Sequence, residues 1–512
     1  MDNMQRLLIF GCISFLTLMG CEKRRQQITN VQPIENYDLI CPSDIPAGIA
    51  FPIVMMRSDL NPRIDVTESF SAKLDDNRWL DAAEFELKRG MGSTVISARD
   101  HGNHFLEITN KFGYVTNRKW IGSTTDRDTA RFTRGWLYDE ELQWDSTQIV
   151  HIMDNLSISS DQVLNIGAGA IILINENVNI FINGEIHCHG TPESPILFSA
   201  FDQPWGMIHH SGVYNHYKYT FFTGGGGMDA YQFGHSESQP VLRGDNCQID
   251  FENVYICDNV GKAMGFQRSK INLKNSLIAR CDTGGELVTT LATIEDCWFM
   301  DIPDSSPDEL DDDNDALYIS GAWAAGRFKT KIYNSVFING KDDGIESNSA
   351  NVLIESCVIS GYANEGIVAS NLNGIEVFNT LITKCNQGIE AGIGSPAVKV
   401  DHSLLMYNEV GLRFGDWSDR ACTGSLFVTN TVSVTNSSHN VWNFVVPQNG
   451  PQPGAIDISF SMVDHAEYDS LEGCLPGTPT FDLDLTIEPD QPGYKDADDG
   501  LNMGLLPWGS QK

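Results

Sequence analysis

The chain is poor in positive charge: 512 residues carry 34 Lys and Arg against 68 Asp and Glu, a formal net charge of −34. That deficit argues against a nucleic-acid partner, because no cationic surplus exists to neutralise phosphates. It argues equally against a basic protein of the membrane surface. Helical periodicity is missing, and the apolar stretch Leu7 to Met19 is too short for an ordinary membrane span. The glycine run Gly224 to Gly227 is followed by no Lys-Ser/Thr pair, which excludes a phosphate-binding loop. Cysteine is thinly spread: apart from Cys12 and Cys21, the remainder are scattered over more than four hundred residues, unlike a disulfide-stapled miniprotein. A hydrophobic content of 41% still reads as a globular bulk.

What is present begins with an address. Arg6 precedes the short apolar run, which ends in Leu18-Met19-Gly20-Cys21. This resembles a bacterial lipoprotein signal. The resemblance implies removal of residues 1–20, lipidation of Cys21, and anchoring in the cell envelope, at the outer membrane. Residues 21–43 are polar and read as a tether.

From Asp250 a unit of about 22 residues recurs, each with two or three short runs of period-two alternation and a Gly-bearing turn. Its apolar anchor falls at Val254, Leu277, Trp298, Val336, Val358, Leu381, Leu404, Val432 and Met462. One unit cannot bury its own inward face, so neighbours must stack. The pattern predicts an all-β chain: a right-handed parallel β-helix over 146–512, with coils about 4.8 Å apart. Residues 44–145 lack the repeat and read as a small β-rich N-terminal domain capping the first coil. Cys297 and Cys357 share a column with Ser276, Ser335, Thr380 and Ser403, so they read as small packing side chains.

The segments Leu156 to Ile172, Ile180 to Ile186, Gly190 to Phe198 and Pro204 to Ile208, with the tail Asp496 to Pro507, resemble bacterial right-handed β-helix repeat proteins of the pectate-lyase-like superfamily. That resemblance implies the fold and a link to polysaccharide, with pectate lyases, polygalacturonases and non-catalytic surface proteins as precedents. Arg89-Gly90-Met91-Gly92-Ser93-Thr94, within residues 50–110, is similar to a segment of spore-coat-protein-H-like domains.

Stacking turns positions one repeat apart into surface columns. Asp315, Asp343 and Glu365 fall in one column, roughly 5 Å apart from coil to coil. Tyr318, Glu346, Glu390 and Arg413 form a second, interrupted by Val368, with Met264 one residue out of register. The long interval between Trp298 and Val336 inserts loops on both sides of Asp315, and long loops on a rigid scaffold carry function. Stacked carboxylates need an offset. One is calcium, held by Asp311, Asp313, Asp315, Asp342 and Asp343. An EF-hand is excluded, because Ala316 and Ala322 stand where Gly and Glu are needed. The other offset is a raised pKa suited to acid–base catalysis by Asp315, Asp343 and Glu365, with Lys341 as a lyase base. The Lys341-Asp342-Asp343-Gly344-Ile345 segment resembles the Asp-Asp element of polygalacturonases, whereas their Gly-His-Gly and Arg-Ile-Lys segments are missing. Tyr318, Trp323, Glu346, Glu390 and Arg413 are the expected ligand contacts. Two functions follow: an envelope lipoprotein that binds polysaccharide or a surface partner, and, alternatively, a polysaccharide lyase or glycoside hydrolase.

Overall fold

The structure is a computed structural model that describes residues 37–74, 83–98, 100–123, 128–132, 135–136, 141–212, 214–303, 313–416, 420–444 and 455–510. The lipoprotein signal with Cys21, and Asp311 of the expected calcium set, lie outside the described residues.

The chain is a right-handed parallel β-helix with a β-rich N-terminal domain. A representative coil runs through Asn351–Glu355, Val358–Tyr362 and Glu365–Asn371. Each of these strands pairs in parallel with its equivalent one coil later. The corner between the first two strands is made by one residue with positive φ: Asn275, Asp296, Asn334, Ser356, Asn379, His402 and Asn430. Asn and Asp tolerate this conformation because their short polar side chains bond locally.

The next position holds the Ser/Thr/Cys column. Ser276 Oγ donates to Lys274 O (2.8 Å) and accepts the Val254 N–H of the preceding coil (3.0 Å). Cys297 Sγ makes the same donation to Glu295 O (3.2 Å), and Cys357 Sγ to Glu355 O (3.4 Å). The cysteines therefore belong to the ladder. All ten in the described residues are free and buried, Cys41 and Cys474 included. Burial pushes the Cys297 thiol up to about 12.

The N-terminal domain is a seven-stranded antiparallel sheet, beginning with Tyr37–Ile40 and ending with Val115–Ser123. Part of the expected tether is thus a strand. The sheet does not cap the first coil. It lies along the flank of the helix, where Phe51, Ile53 and Met55 share a core with Leu173, Leu197, Phe221, Tyr255, Leu277 and Met300. Lys88 pairs with Asp301 (2.7 Å) across this seam. The parallel ladder opens at Asp128–Phe132, paired with Gln148–Ile152, ahead of the expected boundary at 146.

Further along the same flank the C-terminal tail takes over: Met462, Ile487, Met503 and Leu505 pack on Val336, Val358, Leu381, Leu404 and Val432. This double covering explains why the middle strands are apolar at successive positions, as in Leu404-Leu405-Met406, all buried. Buried Arg63 joins the two covers, donating to Asn379 O (2.9 Å), Asn379 Oδ1 (2.7 Å) and Leu506 O. With that flank occupied, the sheet containing Leu317–Ser320, Ile345–Asn348, Glu365–Asn371, Gln387–Gly394 and Val410–Phe414 keeps its outward columns for chemistry.

Candidate functional site

Two columns run side by side on this sheet. Backbone hydrogen bonds fix the first: Gly284 N–H donates to Asp315 O (3.1 Å), Ala316 N–H to Asp343 O (2.9 Å), and Gly344 N–H to Glu365 O (2.9 Å). Glu365 is then in register with Gln387. Asp315, Asp343 and Glu365 therefore occupy successive coils. The second column reads Gly265, Glu286, Tyr318, Glu346, Val368, Glu390, Arg413 and Trp442. It contains Glu286, which was not expected, and takes Gly265 in place of Met264.

The carboxyl groups are deeply placed, with Asp315 at 1% exposure and Glu390 at 3%. Burial raises the pKa of Asp315 well above the carboxylate range, and the neighbouring Glu346, Asp342 and Glu286 add to it. Burial does the same to Asp343, aided by Glu365 and Asp315, and to Glu390, aided by Glu365. Glu346, half-buried, is pushed up to about 8 by burial and then by Asp342 and Asp313. Glu365 is raised by burial, but a side-chain hydrogen bond from Asp343 and the charge of Arg413 pull it back. Asp343 also accepts the Glu365 N–H (2.8 Å), and Gln387 Nε2 donates to Glu365 Oε1. Asp343 and Glu365 are thus hydrogen-bonded to each other, and Glu346 stands in the column beside them.

Asp315, Asp343 and Glu346 each bring one carboxylate oxygen within 4.8 Å of the others. Both Asp315 side-chain oxygens are buried with no protein partner. Oxygen donors in this arrangement suit a hard cation. Of the expected calcium set, Asp315 and Asp343 belong to this group. Asp313 turns to His235 Nδ1 (3.0 Å), Asp342 accepts from Asn364 Nδ2 (3.3 Å), and Glu346 joins Asp315 and Asp343 instead.

Both ends of the columns carry aromatic side chains. At one end the 233–238 segment crosses the sheet. The His235 and Ser236 N–H groups donate to Glu286 (2.6 and 2.9 Å), whose other partner is the buried Lys262. Gly234 lies so near Glu286 that a Cβ there would collide with its carboxylate. The His235 ring stacks on Tyr318 at 4.9 Å, and Tyr318 Oη accepts from Asn348 Nδ2 (3.1 Å). At the other end Arg413 pairs with Glu390 (3.1 Å) beneath Phe444 (4.8 Å) and Trp442 (5.7 Å).

Two expected residues are not gathered in. Trp323 stands near Lys270, whose Nζ is 5.9 Å from its ring centroid, away from the carboxyl columns. Lys341 sits at the coil corner, its N–H donating to Ile302 O (3.0 Å), rather than on the strand that carries Glu346. Sequence reasoning missed the 233–238 segment and Trp442, which belong to no repeat of their own type.

Fold and site together define a right-handed parallel β-helix with a stacked row of buried carboxyl groups on its uncovered sheet. No protein-family model matches the chain, and no curated protein matches it. Among solved structures it is similar to catalytic domains of GH87 alpha-1,3-glucanase. One, in complex with nigerose, aligns at 10% identity over 84% of this chain and 90% of that chain, with a TM-score of 0.28. Another, in complex with tetrasaccharides, aligns at 10% identity over 82% and 89%, with a TM-score of 0.32. The catalytic unit from Streptomyces thermodiastaticus strain HF3-3 aligns at 9% identity over 80% and 89%, with a TM-score of 0.19. These likenesses concern the fold alone.

Proposed function

We propose that the chain hydrolyses glycosidic bonds of a polysaccharide laid along the carboxyl columns. The observation that carries this reading is the stacking of Asp343 and Glu365 on successive coils, hydrogen-bonded to each other, with Glu346 in the column beside them; burial pushes Glu346 up to about 8, whereas Asp343 and Arg413 pull Glu365 back. Groups whose pKa values are pushed apart are what acid–base cleavage requires. Glu346 gives its proton to the departing glycosidic oxygen as the C–O bond breaks. Glu365 takes a proton from water as the water oxygen bonds the anomeric carbon. Asp343 orients Glu365, and burial with the charges of Asp342 and Asp313 holds the proton on Glu346. The corner placement of Lys341 leaves elimination without its expected base, which favours hydrolysis; the missing polygalacturonase segments lend hydrolysis no support. The test is release of reducing ends from a panel of polysaccharides by the mature chain. No release from any of them, with binding retained, would leave the binding-protein reading standing.

Calcium at Asp315, Asp343 and Glu346 is a second reading, favoured by the unpartnered Asp315 oxygens. It predicts that chelated protein melts higher after calcium addition, and that Glu346→Gln abolishes the rise. An unchanged midpoint would leave protons as the neutralising charges.

The Leu18 to Cys21 segment supports an envelope lipoprotein anchored through Cys21. Labelled palmitate should be incorporated by the full chain and lost in Cys21→Ser; equal labelling of both would reject the anchor.

A further inference from the structure

The substrate class can be drawn from the cations of the two columns, and this step rests on the hydrolase reading only for what happens after binding. Glycans that lie along a parallel sheet repeat at about the coil spacing, so each sugar meets about one coil. Here nearly every coil from Glu286 to Glu390 offers a carboxyl group: Glu286, Asp315, Asp343, Glu346, Glu365 and Glu390. A uronate chain would set a further carboxyl group on each coil of this floor, favouring neither its own ionisation nor that of the groups beneath it.

Recognition of such a chain needs cations free to face it. Among the described residues the two in the columns are both buried and each is paired with a carboxyl group. Lys262 is fully buried against Glu286 and Phe233 O. Arg413, 2% exposed, is held by Glu390 beneath Trp442 and Phe444. His235 is turned to Asp313 and stacked on Tyr318. At the margins, Lys341 and Arg420 are likewise engaged within the protein. The whole chain adds a field of the same sign, with a net charge of −34. Aromatic rings at both ends offer apolar faces to the C–H surfaces of a sugar, a contact that needs no charge.

We infer that the carboxyl columns select neutral glycans and reject uronate chains, although the superfamily that the chain resembles includes enzymes of pectin. The direct test is a set of matched oligosaccharides that share a linkage and differ only in charge. Galacturonan is compared with its C6-reduced form, and α- and β-linked glucans with their C6-oxidised forms. Binding to the mature chain is measured by titration calorimetry, with chelator and with millimolar calcium. At least one neutral member should bind, and its carboxylated partner should bind at least tenfold more weakly at low salt. The gap should narrow as salt screens the field. Glu390→Gln, which releases Arg413, should narrow it as well. Equal or tighter binding of the carboxylated partner, with or without calcium, overturns the inference, as does failure of every neutral member to bind. Neutral binding without bond cleavage sinks hydrolysis and keeps the inference. Cleavage without charge discrimination does the reverse.

Discussion

Glu346→Gln is expected to slow polysaccharide hydrolysis by about 10²–10⁴-fold, the usual worth of a positioned general acid. Three accompanying effects separate this role from a structural one. Aryl glycosides with an acidic leaving group need no proton, so the variant should cleave them at nearly the wild-type rate. The alkaline limb of the wild-type pH profile, set by Glu346 near about 8, should vanish in the variant. The protein should not be weakened, because the substitution removes a group that burial, Asp342 and Asp313 all work against. Glu365→Gln should lose activity as well, with no rescue by a better leaving group, because it removes the base. An activated substrate that suffers as much as the polysaccharide would remove Glu346 from the acid role.

How far could these residues be found without the structure? Asp315, Asp343 and Glu365 were legible because the repeat is short and regular, so a period of about 22 residues becomes a vertical neighbour. Glu346, Glu390 and Arg413 were legible for the same reason, lying two residues after Gly344, Gly388 and Gly411. That rule also points to Glu286, two after Gly284; one coil earlier the expected Met264 is not in the column. Gly265 holds that place, while Met264 is buried in the core. The 233–238 segment was hidden because its link to Glu286 and Tyr318 is made by backbone N–H groups and a stacked ring, which leave no periodic trace. The flank position of the N-terminal sheet was hidden too. Unbroken apolar triplets such as Leu277-Ile278-Ala279 announce that something covers that face, without saying what. Trp323 was misplaced because the insertion that carries it turns toward Lys270.

Between pH 6.5 and 8 the melting midpoint is expected to fall as pH rises, where a protein held by ordinary carboxylate ion pairs would stay level. Folding raises the pKa values of Asp315, Asp343, Glu390, Glu346 and Glu365. In the unfolded chain such groups lose their protons near about pH 4. Their contribution is therefore complete below that value and is lost as pH rises toward the folded pKa. Each proton kept only by the folded state lowers stability by about 1.4 kcal/mol per pH unit. The histidines act in the other direction: burial lowers His209 and His216, and holds His210 down at about 3. Their effect is confined to pH below about 6.5, where the unfolded imidazole gains its proton. The carboxylates lowered by ion pairing, Asp65 and Glu376, change charge at still lower pH. Glu346→Gln isolates one member of the column. It should melt higher than wild type at pH 8, and the difference should shrink toward zero as the buffer falls below about pH 4, where both unfolded side chains are neutral. The measurement is made in chelator, since a bound divalent cation would replace the protons and flatten the profile. A wild-type midpoint that stays level or climbs from pH 6.5 to 8 would mean that the stacked carboxyls do not share protons, and the acid–base assignment of Glu346 and Glu365 would fail with it.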